Sequence, residues 1–253
     1  MVAAFAALLL VVQSVVPGAA LAKTKSDSTF AFPKDKPVKI ILFRPDLEVA
    51  SLGTGGVPTP NPDWTLDARK FTQDAITQNQ AVKFAEVIPM PELTGDDAAY
   101  AAEYQSLYRA VSNAVFTHGF LLKLPTKKQA DGKYLFDWTL GPGAKRLGEL
   151  GGGNYGLFVF GYDAYATGGR KAMQIFILIA TSAIGAPTLP QGGQHFSYAS
   201  LVDLDTGKIV WFNFYANKKG DIRTRAGAQE RADKLLSTLP LREGEVRAKP
   251  KQK

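Results

Sequence analysis

The chain has two histidines, His118 and His195, and no cysteine. His118 falls on the apolar face of a long predicted helix, where a structural histidine is more common than a catalytic one. His195 ends the glycine-rich stretch 191–195 and is a candidate binding residue. Because zinc takes three or four ligands at characteristic spacings, two isolated histidines predict no metal site.

One acidic motif could bind a metal or a phosphate, Asp203-Leu-Asp205-Thr206-Gly207. It departs from a phosphatase motif because Thr206 follows Asp205 directly instead of lying two places on. It departs from a calcium loop because position 12 would be Phe214, which is not an acid. Asp205 and Gly207 suit a tight hairpin turn, so we predict a turn here.

The sequence contains no nucleophile elbow, no phosphate-binding Walker loop and no zinc-protease motif. We therefore predict no catalytic residues, no cofactor and no enzymatic activity. One alternative stays open, in which Asp46, Asp163 and His195 converge in a hydrolytic cleft.

Glycines and cations supply the candidate binding residues. Gly53-Thr-Gly-Gly56 follows a predicted strand, and its backbone amides could cradle an anion, although it lacks the Lys-Ser/Thr of a phosphate loop. Residues 168–171, Gly-Gly-Arg-Lys, precede an apolar segment. The predicted binding set is Arg44, Gly53, Gly55, Gly56, Gly168, Gly169, Arg170, Lys171 and His195.

Residues 172–187 contain no charged side chain. The segment is shorter than the roughly 20 residues that span a bilayer as a helix. Two interpretations remain open: burial in the protein's own core, or contact with a partner or a membrane surface.

The N-terminus predicts export. Residues 1–22 carry no charge, contain an apolar run from Val2 to Val16, and end in Ala20-Leu21-Ala22, a small-x-small cleavage pattern. No Lys or Arg precedes the apolar run, and the alternative is an uncleaved membrane anchor. We predict a signal peptide over 1–22, a linker over 23–36 and a periplasmic location.

The net charge is +7, and Arg247–Lys253 holds four basic side chains. Residues 241–253 are expected to form a disordered basic tail that can touch anionic surfaces. Nucleic acid is not an expected partner of an exported protein.

Hydrophobic periodicity predicts alternating strands and helices between 37 and 240. Predicted strands cover 38–43, 81–88, 120–124, 155–165, 196–204 and 208–215. Predicted helices begin near Asp63 or Thr65, at Thr94 and near Pro142, and the last covers 220–239, with Ala226, Ala232, Leu235 and Leu236 inward. Gly119 is expected to close the second helix in a left-handed conformation, and 52–62 to form a loop.

This order predicts a single α/β domain with an α+β tendency. It should contain one mixed sheet of about four to six strands with helices packed on it, ending in a β-hairpin and a C-terminal helix.

Several segments together resemble a group of uncharacterised exported proteins of Gram-negative bacteria. They are Val38–Asp46, Pro62–Thr65, Tyr165–Lys171, Ala199–Gly207 and Val210–Asn213. The element order and residues 155–215 are also similar to the CsgG/LpoB-type superfamily of envelope accessory proteins. That resemblance implies a non-catalytic role in assembling or supporting envelope machinery. Lipid anchoring, common in the superfamily, is not implied because the chain lacks cysteine.

We therefore expect a non-enzymatic periplasmic accessory protein that acts through contacts with an envelope protein. Its expected contact surfaces are 172–187, the loop 52–62 and the turn 168–171, with further membrane-surface contact through 172–187 and the basic tail. The alternative function is a binding module for an anionic envelope ligand, such as a wall or lipopolysaccharide fragment.

Overall fold

A computed structural model describes residues 21–52, 57–121, 127–128, 132, 135–166, 195–217 and 219–247. Within them, eight strands form one mixed sheet and four α-helices pack on it, which confirms the predicted fold class. The sheet has more strands than the four to six expected. The strands are β1 (Leu21–Ser26), β2 (Lys39–Leu42), β3 (Asp46–Leu52), β4 (Pro58–Pro60), β5 (Glu86–Pro89), β6 (Tyr155–Ala166), β7 (His195–Asp203) and β8 (Ile209–Ala216).

The strand order is β1-β8-β7-β6-β2-β5. β3 also pairs with β6, and the short β4 pairs with β3. β2, β3 and β5 lie in the parallel part of the sheet, whereas β7, β8 and β1 run antiparallel to their neighbours. β6 therefore joins the parallel half of the sheet to the antiparallel half.

β2 and β3 follow one another along the same edge of β6. Ile40 pairs with Tyr155, but Asp46 pairs with Phe160, so one extra residue is accommodated between the two strands. This is the arrangement of a β-bulge, in which the extra residue bends the strand. Arg44-Pro45 lies in the bulge directly after the predicted strand 38–43, and the chain continues as β3 along the same edge of β6.

The helices are α1 (Pro62–Thr77), α2 (Gly95–Phe116), α3 (Ala144–Gly151) and α4 (Arg225–Leu236). α1 and α4 pack on one face of the sheet, over a core that includes Val49, Leu157 and Trp211. α2 and α3 pack on the other face, over Phe158 and Phe212. The result is a three-layer arrangement in which apolar side chains on both faces of the central strands are covered by helices.

Local side chains explain where the helices begin. Asn61 caps α1 by accepting a hydrogen bond from the Trp64 amide at 3.0 Å, and Thr224 caps α4 by accepting one from Gly227 at 3.1 Å. Thr94 precedes α2, as predicted. Gly119 does not adopt a left-handed conformation, because α2 runs into a π-helical turn at Thr117–Leu121.

The β7–β8 hairpin is as predicted. Gly207 adopts φ +72° in its turn, and the Asp203 amide donates to the Lys208 carbonyl at 2.9 Å. Asp203 also accepts hydrogen bonds from the amides of Asp205 and Thr206 at 3.0 and 3.3 Å. The acidic motif is therefore a turn element, and the carboxylate of Asp203 serves the backbone.

Residues 23–36 differ from the predicted linker. Lys23–Ser26 belongs to edge strand β1, where Thr24 donates to the buried Asn213 side chain at 3.0 Å. Phe32 is fully buried in the core. Leu21 and Ala22, the last two residues of the predicted signal peptide, also belong to β1, and residues 1–20 lie outside the described residues.

Residues 241–247 also differ from the predicted disordered tail. The Phe32 amide donates to the Leu241 carbonyl at 3.0 Å, and the Glu243 amide donates to the Phe32 carbonyl at 2.9 Å. Arg247 donates to the Leu239 carbonyl at 2.6 Å. This part of the tail is therefore held against the N-terminal region, and 248–253 lies outside the described residues.

Three short elements also differ from those predicted from the sequence. Residues 58–60 of the predicted loop form β4. A 3-10 turn at Gln80–Val82 takes in the first two residues of the predicted strand 81–88. Phe120 and Leu121 of the predicted strand 120–124 belong to the π-helical turn.

Candidate functional site

The register of β6 and β7 brings Asp163 and His195 together. They are direct cross-strand partners, with Asp163 fully buried and His195 only 9% exposed. His195 Nδ1 lies 3.2 Å from Asp163 Oδ2, within ion-pair distance although not aligned as a hydrogen bond. The fold thus joins two of the three residues in the hydrolase alternative.

Arg231 of α4 neutralises the buried carboxylate. Its Nη1 and Nη2 donate to Asp163 Oδ1 and Oδ2 at 3.2 and 3.1 Å, a two-pronged pairing. The same nitrogens donate to Ser197 Oγ at 2.8 Å and to the Gly220 carbonyl at 3.0 Å. We call Asp163, His195, Ser197 and Arg231 the buried ion cluster. It fixes α4 to the ends of β6 and β7.

An aromatic and cationic layer covers this cluster. The Tyr165 hydroxyl donates to Asp163 Oδ2 at 2.8 Å, and its ring centroid lies 4.7 Å from that of His195. The Arg223 guanidinium lies 3.6 Å from the Tyr165 ring centroid and 4.6 Å from that of Trp64. We call Trp64, Tyr165 and Arg223 the outer stack. All three side chains are partly exposed.

Asp221 holds the guanidinium of the outer stack in place. Arg223 Nε and Nη2 donate to Asp221 Oδ1 and Oδ2 at 3.0 and 2.7 Å. Partial burial would raise the pKa of Asp221, but hydrogen bonds from the Arg223 side chain and backbone outweigh it and lower the pKa to about 2. Burial, assisted by the nearby carboxylates of Asp163 and Asp221, raises the pKa of Tyr165. At neutral pH the stack therefore contains a neutral phenol and a fixed ion pair.

Exposed aliphatic side chains lie along the chain next to the outer stack. Val57, which precedes β4, is 68% exposed, and Leu66 in the first turns of α1 is 63% exposed. The carbonyl and amide of Val49 on β3 are bonded to Asn61 and Thr65, which fixes the start of α1 to the sheet. Leu66 follows Trp64 by two residues on α1 and therefore faces another side of the helix.

We call the outer stack together with Val57 the corner surface, because Val57 precedes Pro58, which pairs with Leu52 beside Ala166, the residue after Tyr165. Its mixture of rings, a guanidinium and aliphatic groups is suited to contact with another protein.

The remaining predicted site residues have different positions. Arg44 is exposed at the bulge, five residues before Val49, the register partner of Asp163, which is roughly 16 Å along the strand. Asp46 pairs with Arg109 of α2 and lies an odd number of residues from Val49, so it faces the opposite side of the sheet from Asp163. The three groups of the hydrolase alternative are therefore not assembled.

Most of the predicted binding set lies outside the described residues. This holds for Gly53, Gly55, Gly56, Gly168, Gly169, Arg170 and Lys171, and for the apolar segment 172–187. The described residues that flank these segments lie at the same end of the sheet, since Leu52 pairs with Ala166 and His195 begins β7.

His118 lies in a different part of the structure from the buried ion cluster. It lies in the π-helical turn, with its ring nearly parallel to that of Trp138 at a centroid distance of 6.3 Å. This position agrees with the structural role that its place on an apolar face predicted.

Sequence reasoning missed Arg231 and the outer stack. One signal was present: Arg231 falls within the inward stripe Ala228, Ala232 and Leu235, where an unpaired charge would be costly. Its partner, Asp163, is likewise an isolated charge in the apolar strand Tyr155–Ala166. Two opposite charges in otherwise apolar contexts predict a buried pair.

No helix among the described residues is long and apolar enough to cross a membrane. No group of three or more His, Asp or Glu side chains in the same part of the chain is arranged to hold a metal ion.

The chain matches no protein-family model and no curated protein sequence. Among solved structures it is similar to the PelC dodecamer of Paraburkholderia phytofirmans, with 14% identity and a TM-score of 0.37 over 88% of this chain and all of that chain. It is also similar to the lipoprotein GNA1162 of Neisseria meningitidis, with 13% identity and a TM-score of 0.27 over 72% of this chain and 83% of that chain. At these values the likeness is one of general shape and fixes neither family nor function.

Proposed function

We propose that this chain is an exported accessory protein of the bacterial envelope that binds another protein through the corner surface and performs no catalysis. The observation that carries the proposal is the outer stack, with the exposed Val57 near it at the end of the sheet. Export is supported by the apolar, uncharged residues 1–22 and their cleavage pattern.

The side chains of the corner surface are those that dominate protein interfaces. Trp, Tyr and Arg are enriched among residues whose truncation costs most in binding. Arg223 is already held by Asp221 and by two rings, so little side-chain freedom remains to be lost when a partner binds. A pre-ordered guanidinium between rings therefore favours binding over a purely structural role.

The contacts of Asp163 support a non-catalytic role for the buried ion cluster. Both of its carboxylate oxygens accept from Arg231, and one also accepts from Tyr165. A carboxylate that is fully buried and shared in this way is poorly placed to accept a proton from a substrate. The cluster instead supports the corner surface from below.

A photo-crosslinking amino acid at position 57 tests the proposal in cells that naturally produce the chain. We expect a discrete crosslinked species in the envelope fraction, reduced at least tenfold when Arg223→Ala is added. The matched control is position 107, because Leu107 is 40% exposed on α2, on the opposite side of the sheet. Equal crosslinking at both positions, or none at 57, would contradict the proposal.

The salt dependence of the crosslink separates this function from the anionic-ligand alternative. A contact made mainly by rings and aliphatic groups should persist when ionic strength rises from about 0.1 M to about 0.5 M, where exposed charge pairs are strongly screened. Loss of the species at high salt would favour an acidic partner or ligand.

A further inference from the structure

The bulge between β2 and β3 places one arginine at an open edge of the sheet. Among the described residues, β2 pairs with β5 only as far as Leu42, and β3 pairs with β4 only from Ala50 onward. Arg44 lies between these two pairings and is exposed. Ile40 and Leu42 belong to the core beneath α1 and α4, so the alternation of side chains directs Arg44 to the same face.

Helix α1 brings a second arginine, Arg69, to this edge. The Thr65 hydroxyl is bonded to the amide and the carbonyl of Val49 at 3.0 and 3.4 Å, which fixes the first turns of α1 beside β3. β4 runs antiparallel to β3 and leads directly into α1, so the helix extends back along β3 toward the bulge. Arg69 follows Thr65 by one helical turn, about 6 Å, and therefore reaches the level of Leu47.

Neither guanidinium is paired within the described part of the chain. Arg44 and Arg69 form no ion pair and no hydrogen bond there, and Arg69 Nε is buried without an acceptor. The carboxylate of Asp46 in the same strand is taken by Arg109 of α2. A buried donor that lacks an acceptor costs free energy, and an anion bound from solvent would offset that cost.

The two cations are close enough to repel one another. Burial lowers the pKa of Arg69 most, and the charge of Arg44 lowers it further, by more than either Asp46 or Glu48 raises it. Repulsion between two like charges is relieved when an anion binds between them. The edge is therefore suited to an anionic ligand.

We propose that Arg44 and Arg69 form a binding site for a phosphate group at the open edge of β3. One guanidinium already satisfies a carboxylate with two parallel hydrogen bonds, whereas two guanidiniums match a doubly charged phosphate monoester and its three acceptor oxygens. The exposed Glu48 offsets part of the positive charge and limits the affinity.

The sequence and the structure each contribute one residue to this site. Arg44 belongs to the predicted binding set, and Arg69 is added by the packing of α1 against β3. The site uses other residues than the corner surface, so the inference goes beyond the proposed function and does not depend on it.

Titration of the full-length chain with inorganic phosphate tests the site, by calorimetry at constant ionic strength and at about pH 8, where phosphate is doubly charged. We expect Arg44→Gln and Arg69→Gln each to weaken binding about tenfold or more, the effect of losing a charge-assisted hydrogen bond. Glu48→Gln should strengthen binding about threefold, because it removes a repelling charge. The matched control, Arg146→Gln, removes the same charge from α3, where Arg146 pairs with Asp97, and should leave binding unchanged.

Vesicles distinguish a lipid headgroup from a soluble phosphate. Cosedimentation is compared between phosphatidylcholine vesicles that contain phosphatidic acid, a phosphate monoester, and vesicles of equal total charge that contain phosphatidylglycerol, a diester. A preference for phosphatidic acid that Arg69→Gln abolishes would assign the site to a membrane lipid. Binding of inorganic phosphate without that preference would assign it to a soluble phosphate.

Three outcomes would overturn the proposal. They are no binding of either inorganic phosphate or phosphatidic acid vesicles, equal weakening by Arg146→Gln and Arg69→Gln, and binding of acetate as tight as that of phosphate. Circular dichroism establishes that each variant folds. Arg69→Lys replaces Arg69→Gln if it does not, because lysine keeps the charge but lacks the planar fork.

Thermal unfolding gives an independent readout. Phosphate should raise the melting temperature of the natural chain more than chloride does at equal ionic strength, because a ligand that binds the folded state stabilises it. The double variant Arg44→Gln/Arg69→Gln should lose this difference. A difference that persists in the double variant would count against the site.

Discussion

At the scale of single residues, Arg231 shows what periodicity finds and what it misses. The helical period correctly placed Ala232, Leu235 and Leu236 inward, whereas Ala226 is exposed. It could not place Arg231, because a charged side chain is normally assigned to the solvent side. Arg231 is 1% exposed, and the reason is a cross-chain partner, Asp163, that no local pattern identifies.

Removing the Arg231 charge should be strongly destabilising. Arg231→Met keeps most of the side-chain volume but leaves Asp163 buried without its counter-charge, so we expect a loss of about 3–5 kcal/mol in the free energy of unfolding, measured by urea denaturation. The control is Arg225→Met in the same helix, whose pair with Asp74 is exposed and should contribute at most about 1 kcal/mol. Equal effects of the two variants would show that the buried ion cluster does not hold the sheet and α4 together.

At the scale of elements, patterns with strong local chemistry predicted the structure well. The start of α2 at Thr94, the long strand β6 and the β7–β8 hairpin are confirmed. β3 was missed because Pro45 normally ends a strand, and here it occupies a bulge. β1 was missed because Leu21–Ser26 has no hydrophobic alternation and is held by pairing with β8.

The hairpin turn gives a prediction at this scale. Gly207 has φ +72°, and a Cβ there would collide with the backbone of Gly141, so Gly207→Ala should lower the free energy of unfolding by about 2 kcal/mol or more. Gly244→Ala is the control, since it has φ +82° with open space around it and should cost about 1 kcal/mol from backbone strain alone. A smaller loss at Gly207 than at Gly244, by thermal or urea denaturation, would refute the close approach of these turns.

At the scale of the whole molecule, the mixed α/β class followed from the order of elements, but strand order and register did not. The residues of the outer stack and the buried ion cluster lie far apart in the sequence, near positions 64, 163, 195 and 223–231. They come into contact only when β6, β7 and α4 are packed together. Asp163 and His195 were each noted in the sequence, yet their pairing depends on cross-strand register. The long-range part of the site therefore required the structure.

The account as a whole depends on export, which places the corner surface where an envelope partner can reach it. The edge strand adds a constraint, because processing after Ala22 leaves Lys23–Ser26 paired with β8 and keeps Thr24 bonded to Asn213. Processing after Ser26 would remove that support from the sheet.

Mass spectrometry of the N-terminus of the natural protein, after fractionation of the cells that produce it, tests this most directly. We predict a chain that begins at Lys23 and is recovered from the periplasm or envelope. An intact chain that begins at Met1 and is recovered from the cytoplasm would contradict export and the proposed function with it.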